Sequence, residues 1–310
     1  MHIPHKLPFD NLIILGPTAT GKTKLAVQLA KHLNGEIISA DSRQVYRGMD
    51  IGTGKDLKDY KIDETEIPYH LIDILNPNEE YNVSQFQNDA NRILSEIKSK
   101  KKLPIVCGGT GFYIKALLMN FNIPKTKPDK FLRQKLEKFS LDELIIELEN
   151  ISTTNSKFNL IDTKRRAIRA IEIELDKKNK LNSDLLNQTF SINNFLVLGV
   201  LYDREKIREK ITSRLSSRLK NGMIEEVESL IKLGITKNRL ESLGLEYRFI
   251  SRYLDGAITN SEMFTLLNTA IHQFAKKQMT FFRNMEKNGI NINWVSKGNL
   301  DLALNIILKS

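Results

Sequence analysis

The sequence predicts an α/β protein, a parallel sheet with helices on both faces, interrupted by an inserted helical subdomain. Short apolar runs that read as buried strands alternate with helical periodicity, the pattern of a sheet covered on both sides. That strand signal disappears between about residues 124 and 188 and then resumes. The chain has 310 residues, 41% hydrophobic and 27% charged, with 8 Pro and 16 Gly. Such a composition builds a large core or two coupled domains and excludes a disordered, collagen-like or low-complexity chain.

Leu12-Ile13-Ile14-Leu15 is the first strand, followed by the turn Gly16-Pro17-Thr18 and a helix carrying Leu25, Leu29, Ala30 and Leu33 on its apolar positions. Glu36 to Ala40 reads as a second buried strand ending at Asp41, Leu103 to Cys107 as a third ending at Gly108-Gly109, and Phe195 to Tyr202 as a fourth ending at Asp203. Residues 1–119 and 191–310 are expected to form the core, with a helical C-terminal part, and residues 120–190 the insertion. The Lys98 to Lys102 run reads as a solvated helix end. Trp294 and Cys107 read as core residues.

Lys and Arg number 47 against 37 Asp and Glu, a formal charge of +10. The surplus is one over residues 1–119, three over 120–190 and six over 191–310. A nearly neutral first third and a basic remainder suit a catalytic core joined to a polyanion-binding body, although a solvated basic surface has the same charge. One cysteine cannot make an internal disulfide, and the five histidines lack zinc-ligand spacing. No apolar run approaches the ~20 residues that span a bilayer, and no signal-like segment opens the chain. A cytoplasmic protein without membrane contact is expected.

Gly16-Pro17-Thr18-Ala19-Thr20-Gly21-Lys22-Thr23 fits G-x-x-x-x-G-K-[ST] between a strand and a helix. Backbone N–H groups at a helix N-terminus cradle phosphate oxygens, Lys22 adds a cation, and the Thr23 hydroxyl can ligate Mg²⁺. The expected fold is therefore P-loop NTPase-like, with its ligand beyond the carboxyl ends of the strands. There Asp41 is either a Mg²⁺-holding acid or a general base, or it merely caps the next helix. Asp203 competes for the metal role but reads better as a helix cap. Three glycines around Thr110 allow close backbone approach to a ligand, or form a plain turn. Arg165, Arg166 and Arg169 fall at helical spacing and would make one guanidinium face, either for a phosphate backbone or for solvent. Arg214 and Arg218 form a second i,i+4 pair, from which Arg214 can reach back to neutralise a departing phosphate.

Taken in order, Gly16–Thr23, Ala40-Asp41-Ser42-x-Gln44-x-Tyr46-x-Gly48-Met49-Asp50-Ile51-Gly52-Thr53, His70-Leu71-Ile72-Asp73, Gly108-Gly109-Thr110-Gly111-x-Tyr113-Ile114-Lys115-Ala116-Leu117 and Arg165-Arg166-x-x-Arg169-Ala170 closely resemble the bacterial tRNA dimethylallyltransferase family. The resemblance implies that the P-loop holds the diphosphate of dimethylallyl diphosphate, and that N6 of adenosine-37 beside the tRNA anticodon is prenylated. It makes Asp41 the base, with Thr23 and Arg214 around the bridging and leaving phosphates. Ser42, Arg43, Gln44, Thr110, Arg133, Arg165, Arg166 and Arg169 become contacts for the anticodon stem-loop or its target base. Mg²⁺ is the expected cofactor and a monomer the expected working form. Ser242-Leu243-Gly244-Leu245-Glu246-Tyr247 departs from the family's usual Gly-Tyr pair, Phe281 from a frequent tryptophan, and Asp162-Thr163 from a common Asn-Asp turn. These departures are expected to lie away from the reacting groups and to bear on tRNA selection.

Competing readings are a nucleotide-binding P-loop kinase with ATP in the cradle, an enzyme prenylating free adenine nucleotides, and a non-catalytic RNA-binding module. The first leaves the block through Thr53 unexplained. The second has no use for an extended basic insertion, and the third none for intact Lys22, Thr23 and Asp41.

Overall fold

The computed structural model describes residues 7–119, 123–124, 126–152, 161–179 and 194–310. The chain forms two compact units, Met1–Phe121 with Ile192–Ser310, and Asn122–Ser191.

The first unit opens with β1 (Asn11–Leu15), α1 (Lys22–Leu33) and β2 (Gly35–Ser39). A 3₁₀ turn at Leu57–Tyr60 leads to the small hairpin of β3 (Lys61–Ile62) and β4 (Thr65–Glu66), then to β5 (Tyr69–His70), α2 (Val83–Ser99), β6 (Leu103–Gly108) and α3 (Gly111–Met119). The second unit contributes α4 (Lys130–Leu136), α5 (Leu141–Ile151) and α6 (Lys164–Asn179). The first unit then resumes with β7 (Phe195–Leu201), α7 (Arg204–Lys220), α8 (Met223–Lys232), α9 (Lys237–Leu243), α10 (Leu245–Leu254), the long α11 (Asn260–Lys287), β8 (Asn293–Ser296) and α12 (Leu300–Lys309).

Six strands pair in the order β5-β2-β6-β1-β7-β8, every pairing parallel. Period-two alternation sends Leu12 and Ile14 to one face, under α1 and α12, and Ile13 and Leu15 to the other, under α2, α3 and α11. All four are fully buried, as both faces of a parallel sheet require. A third cluster joins α7 to α11 with Val45, Tyr46 and Met49. The second unit has its own small core around Leu144, Leu148, Ala167 and Ile171.

Besides the small β3–β4 hairpin, two strands of the six-stranded sheet escaped sequence reading. β5 is only two residues long and β8 lies at an edge, where pairing to β7 rather than an apolar run defines it. Trp294 on β8 is half-buried, lies over Gly199 where a Cβ would come within 2.4 Å of its ring, and donates its indole N–H to Glu286 at 2.8 Å. The lysine run before β6 is not simply solvated. Lys100 and Lys102 reach the buried Glu36 carboxylate at 3.4 and 2.8 Å, and His70 Nε2 reaches it at 2.8 Å. Burial would raise the Glu36 pKa, but the bonds from Lys102, His70 and Lys100 overcome that and lower it to about 2. Asp203 stands at the N-cap position of α7 without a side-chain cap bond, and it does not line the cavity described below.

Candidate active site: a phosphate cradle facing a carboxylate

The loop leaving β1 needs backbone shapes that side chains resist. Gly16 has φ +154°, and a Cβ there would come within 2.8 Å of the Val200 carbonyl oxygen. Gly21, at φ +76°, precedes the first turn of α1, and Ala19 between them is held at φ +64°. The Thr20 hydroxyl and the Lys22 ammonium both donate to the Pro17 carbonyl, at 2.8 and 2.7 Å. These bonds curl the loop over the N-terminus of a twelve-residue helix, where free N–H groups and the helix dipole favour an anion. Burial brings the Lys22 ammonium down to about 8. Beneath it, burial pushes the Cys107 thiol up to about 11, so the lone cysteine stays neutral.

Asp41 stands just beyond β2, where its Oδ1 accepts the Arg43 backbone N–H at 2.9 Å. That bond forms a local turn, and no helix starts there. The end of β6 is pressed against this segment: a Cβ on Gly108 would fall 2.2 Å from the Ala40 carbonyl oxygen. Thr110 donates its N–H to that carbonyl at 3.2 Å and accepts the Ser42 N–H on Oγ1 at 3.1 Å. Gln44 uses its amide internally, accepting the Ser39 hydroxyl at 2.9 Å and donating to the Gly54 carbonyl at 3.1 Å. Arg43 is lowered by burial, partly offset by Tyr46 and Asp41.

A cavity of about 410 Å³ joins the two halves, with Lys22, Thr23, Asp41, Thr110 and Arg214 on its walls. Arg214 on α7 donates to the Thr18 hydroxyl of the P-loop. Burial and the neighbouring Arg218 lower Arg214 to about 10, so it remains a cation at neutral pH. Arg218 is anchored by Asp56 at 2.9 Å.

The atypical Ser242–Tyr247 segment corrects an expectation. It lines the same cavity as Thr23, Asp41 and Arg214, the groups expected to react, instead of lying away from them. Burial raises the Glu246 carboxyl, although Arg214 and Arg218 favour its charged form. Tyr247 is fully buried and donates to Glu226 at 2.7 Å. Glu226 in turn accepts the N–H groups of Asp50, Ile51 and Gly52 at 2.7, 2.7 and 3.0 Å. A Cβ on Gly52 would lie 2.7 Å from the Tyr247 ring. The Gly48–Thr53 block thus builds a wall rather than chemistry, with buried Lys55 tying it down through the Tyr46 carbonyl, Asp50 and Asp73. Phe281 is also close to the site, since a Cβ on Gly111 would meet its ring at 2.3 Å.

Gln278 on α11, 8% exposed, was not singled out by sequence. Its signal is a polar residue on the buried stripe between Ala275 and Phe282. Phe274, with Leu245 and Ile271, gives the cavity an apolar part.

In the second unit the expected arginine face is divided. Arg133 grips buried Glu172 with two bonds of 2.7 and 3.0 Å, and Arg169 adds a third at 3.0 Å while also donating to the Thr126 carbonyl at 2.8 Å. The Asp129 N–H supplies a fourth at 3.0 Å. Arg133 and Arg169 therefore brace this unit instead of standing free. Arg165 and Arg166 are exposed, and Arg166 pairs with exposed Asp162 at 2.6 Å.

Among the described residues no group of three or more His, Cys, Asp or Glu could hold a metal by itself. The Thr23 hydroxyl, on the cavity wall, suits a hard cation that keeps waters and takes phosphate oxygens as its other ligands.

Fold and site together define a P-loop NTPase-like α/β protein whose P-loop shares one cavity with a carboxylate beyond β2, the strand on the far side of β6 from β1. Comparison with known proteins narrows the class. The family model described as IPP transferase matches residues 44–285, and one described as isopentenyl transferase matches residues 10–73. The chain belongs to the IPP transferase family. It is 49% identical over 287 residues to tRNA dimethylallyltransferase 2 of Bacteroides fragilis, covering 93% of this chain and 92% of that protein. It is 48% identical over 290 residues to tRNA dimethylallyltransferase 2 of Treponema denticola, covering 93% and 96%. The crystal structure of the full-length tRNA isopentenylpyrophosphate transferase from Bacillus halodurans is similar at TM-score 0.68 and 33% identity, covering 97% of this chain and 95% of that one. A eukaryotic dimethylallyltransferase acting on tRNA shares the fold at TM-score 0.71 and 22% identity, covering 94% of this chain and 74% of that one.

Proposed function

We propose that this protein transfers the dimethylallyl group of dimethylallyl diphosphate to N6 of adenosine-37 in tRNA, releasing diphosphate. The observation that carries the reading is Asp41 sharing one cavity with a P-loop whose Thr18 is bonded to Arg214. N6 attacks the allylic C1 and the C1–O bond breaks. Its electron pair leaves on the diphosphate, and the N6 proton passes to Asp41. The exocyclic amine is a poor nucleophile, so a positioned carboxylate and stabilised leaving-group charge both lower the barrier.

The diphosphate lies in the loop Gly16–Thr23, with Lys22 and Arg214 against its charge and the Thr23 hydroxyl toward the bridging oxygen. A divalent cation, Mg²⁺, held by Thr23, would neutralise diphosphate charge when bound. Leu245, Ile271 and Phe274 cover the five-carbon chain. Ser42, Arg43 and Thr110 face the adenine, with Gln44 holding that wall. The anticodon stem-loop is gripped by the 120–190 insertion through Arg165 and Arg166, while Arg133 and Arg169 keep α6 in shape through Glu172. The target base leaves its stack at a cost of a few kcal/mol, least in a single-stranded loop. The working form is a cytoplasmic monomer; among the described residues no helix is long and apolar enough to cross a membrane.

The test is incubation with labelled dimethylallyl diphosphate and bulk tRNA, with free AMP and with ATP as separate controls. Label in tRNA alone is the expected result. Label in AMP, or ATP consumption without label in RNA, would overturn the reading.

A further inference from the structure

The two reactants of the proposed transfer sit on different loops, and their separation decides the rate. Diphosphate belongs to the β1–α1 loop. The proton acceptor Asp41 belongs to a segment knitted to the β6–α3 loop by the Thr110 N–H to Ala40 and the Ser42 N–H to Thr110. One side chain spans the gap. Gln278 accepts the Thr18 N–H on Oε1 at 2.9 Å and donates from Nε2 to the Gly109 carbonyl at 2.9 Å. The absence of a side chain on Gly109 makes room, since a Cβ there would fall 2.5 Å from Gln278 Nε2. The amide's own position is fixed by α11, which drives Phe282 and Met285 into the core beneath the sheet.

We propose that Gln278 is a positioning residue that fixes the distance between the bound diphosphate and the Asp41 side of the cavity. This inference rests on the prenyl-transfer reading for the identity of the reactants. Its chemistry demands a carboxamide. One loop offers a donor and the other an acceptor, so a single group must accept at one end and donate at the other. A carboxylate would keep the Thr18 bond and repel the Gly109 carbonyl. A thioether of similar volume would keep the packing and lose both bonds. In-line displacement is sensitive to such spacing, and a misplacement of about 1 Å costs on the order of 10²-fold in rate.

The test compares wild type with Gln278→Met and Gln278→Glu, the second nearly isosteric in case the first perturbs folding. Two readouts are taken. In single turnover with an anticodon stem-loop, the rate is expected to fall about 10- to 100-fold, while dissociation constants for RNA and for inorganic pyrophosphate stay within about threefold. In hydrogen exchange, pyrophosphate is expected to slow amides in residues 16–23 and 108–113 of wild type, but only those in 16–23 of the variants. A rate within about twofold of wild type in both variants, or the same two-loop protection in all three proteins, overturns the proposal. A wild type that binds pyrophosphate but transfers nothing to RNA counts against the prenyl-transfer reading, and the exchange pattern then decides the coupling on its own.

Discussion

Replacing Arg165 and Arg166 by alanine tests whether α6 presents the insertion's RNA-binding charge, and the structure gives the size of the effect. Both side chains are exposed, and the Arg166 pair with Asp162 is 64% and 66% exposed at its two ends. Such a pair contributes little and exchanges readily for a phosphate. Removing one phosphate-binding arginine lowers the slope of log affinity against log salt by about 0.7–0.9, so the double variant should flatten it by about 1.4–1.8. Between 50 and 200 mM salt, wild type should therefore lose about tenfold more affinity for an anticodon stem-loop than the variant does. Filter binding across that range reads both quantities, and pyrophosphate affinity should not move. Superimposable salt titrations would refute the assignment of these two arginines to RNA.

Glu172→Ala acts through stability instead. It removes the carboxylate shared by two guanidinium groups and the Asp129 N–H, and because Arg133 and Arg169 keep 41% and 32% of their side-chain exposure the cost should be about 2–3 kcal/mol, below the range for fully buried pairs. Urea unfolding followed by exchange in α6 measures it, and a loss under about 1 kcal/mol would show the cluster to be slack. Lys22 falls to about 8 in the free protein, and bound diphosphate favours the ammonium. Binding at pH 8 should thus take up about half a proton and weaken as pH rises further; calorimetry in buffers of different ionisation heat reads the uptake, which Lys22→Met should abolish. Glu36 is held down at about 2, so its stabilising contribution is present above its unfolded value near 4.5 and is lost as pH falls toward 2. Glu36→Gln should remove that acid-dependent component from the unfolding curve, and an unchanged acid limb would contradict the lysine cluster's role.

What was legible in the sequence follows from which signals are local. The Gly16–Thr23 loop and the strands beneath Asp41 announce themselves because apolar runs, glycines and a helix start are all adjacent in the chain. β5 and β8 are defined by partners instead of by composition, so no local pattern marks them. The arginines of α6 fell at the right spacing, yet spacing does not reveal that Glu172, three residues after Arg169, claims both Arg169 and Arg133. The same limit hid the placement of Ser242–Tyr247, whose distance from Asp41 in sequence conceals a shared cavity. Gln278 links residues 169 and 260 positions away, and only the folded chain brings those loops under one amide.

Single-turnover transfer with Asp41→Asn tests the central claim most directly. Wild type and variant would be given labelled dimethylallyl diphosphate and an anticodon stem-loop at saturating concentration, with binding of each substrate measured separately. The variant should bind both substrates as wild type does and place the label on N6 about 10²–10⁴-fold more slowly, the loss that follows removal of a positioned proton acceptor. A transfer rate close to that of wild type would contradict Asp41 as the group that takes the N6 proton.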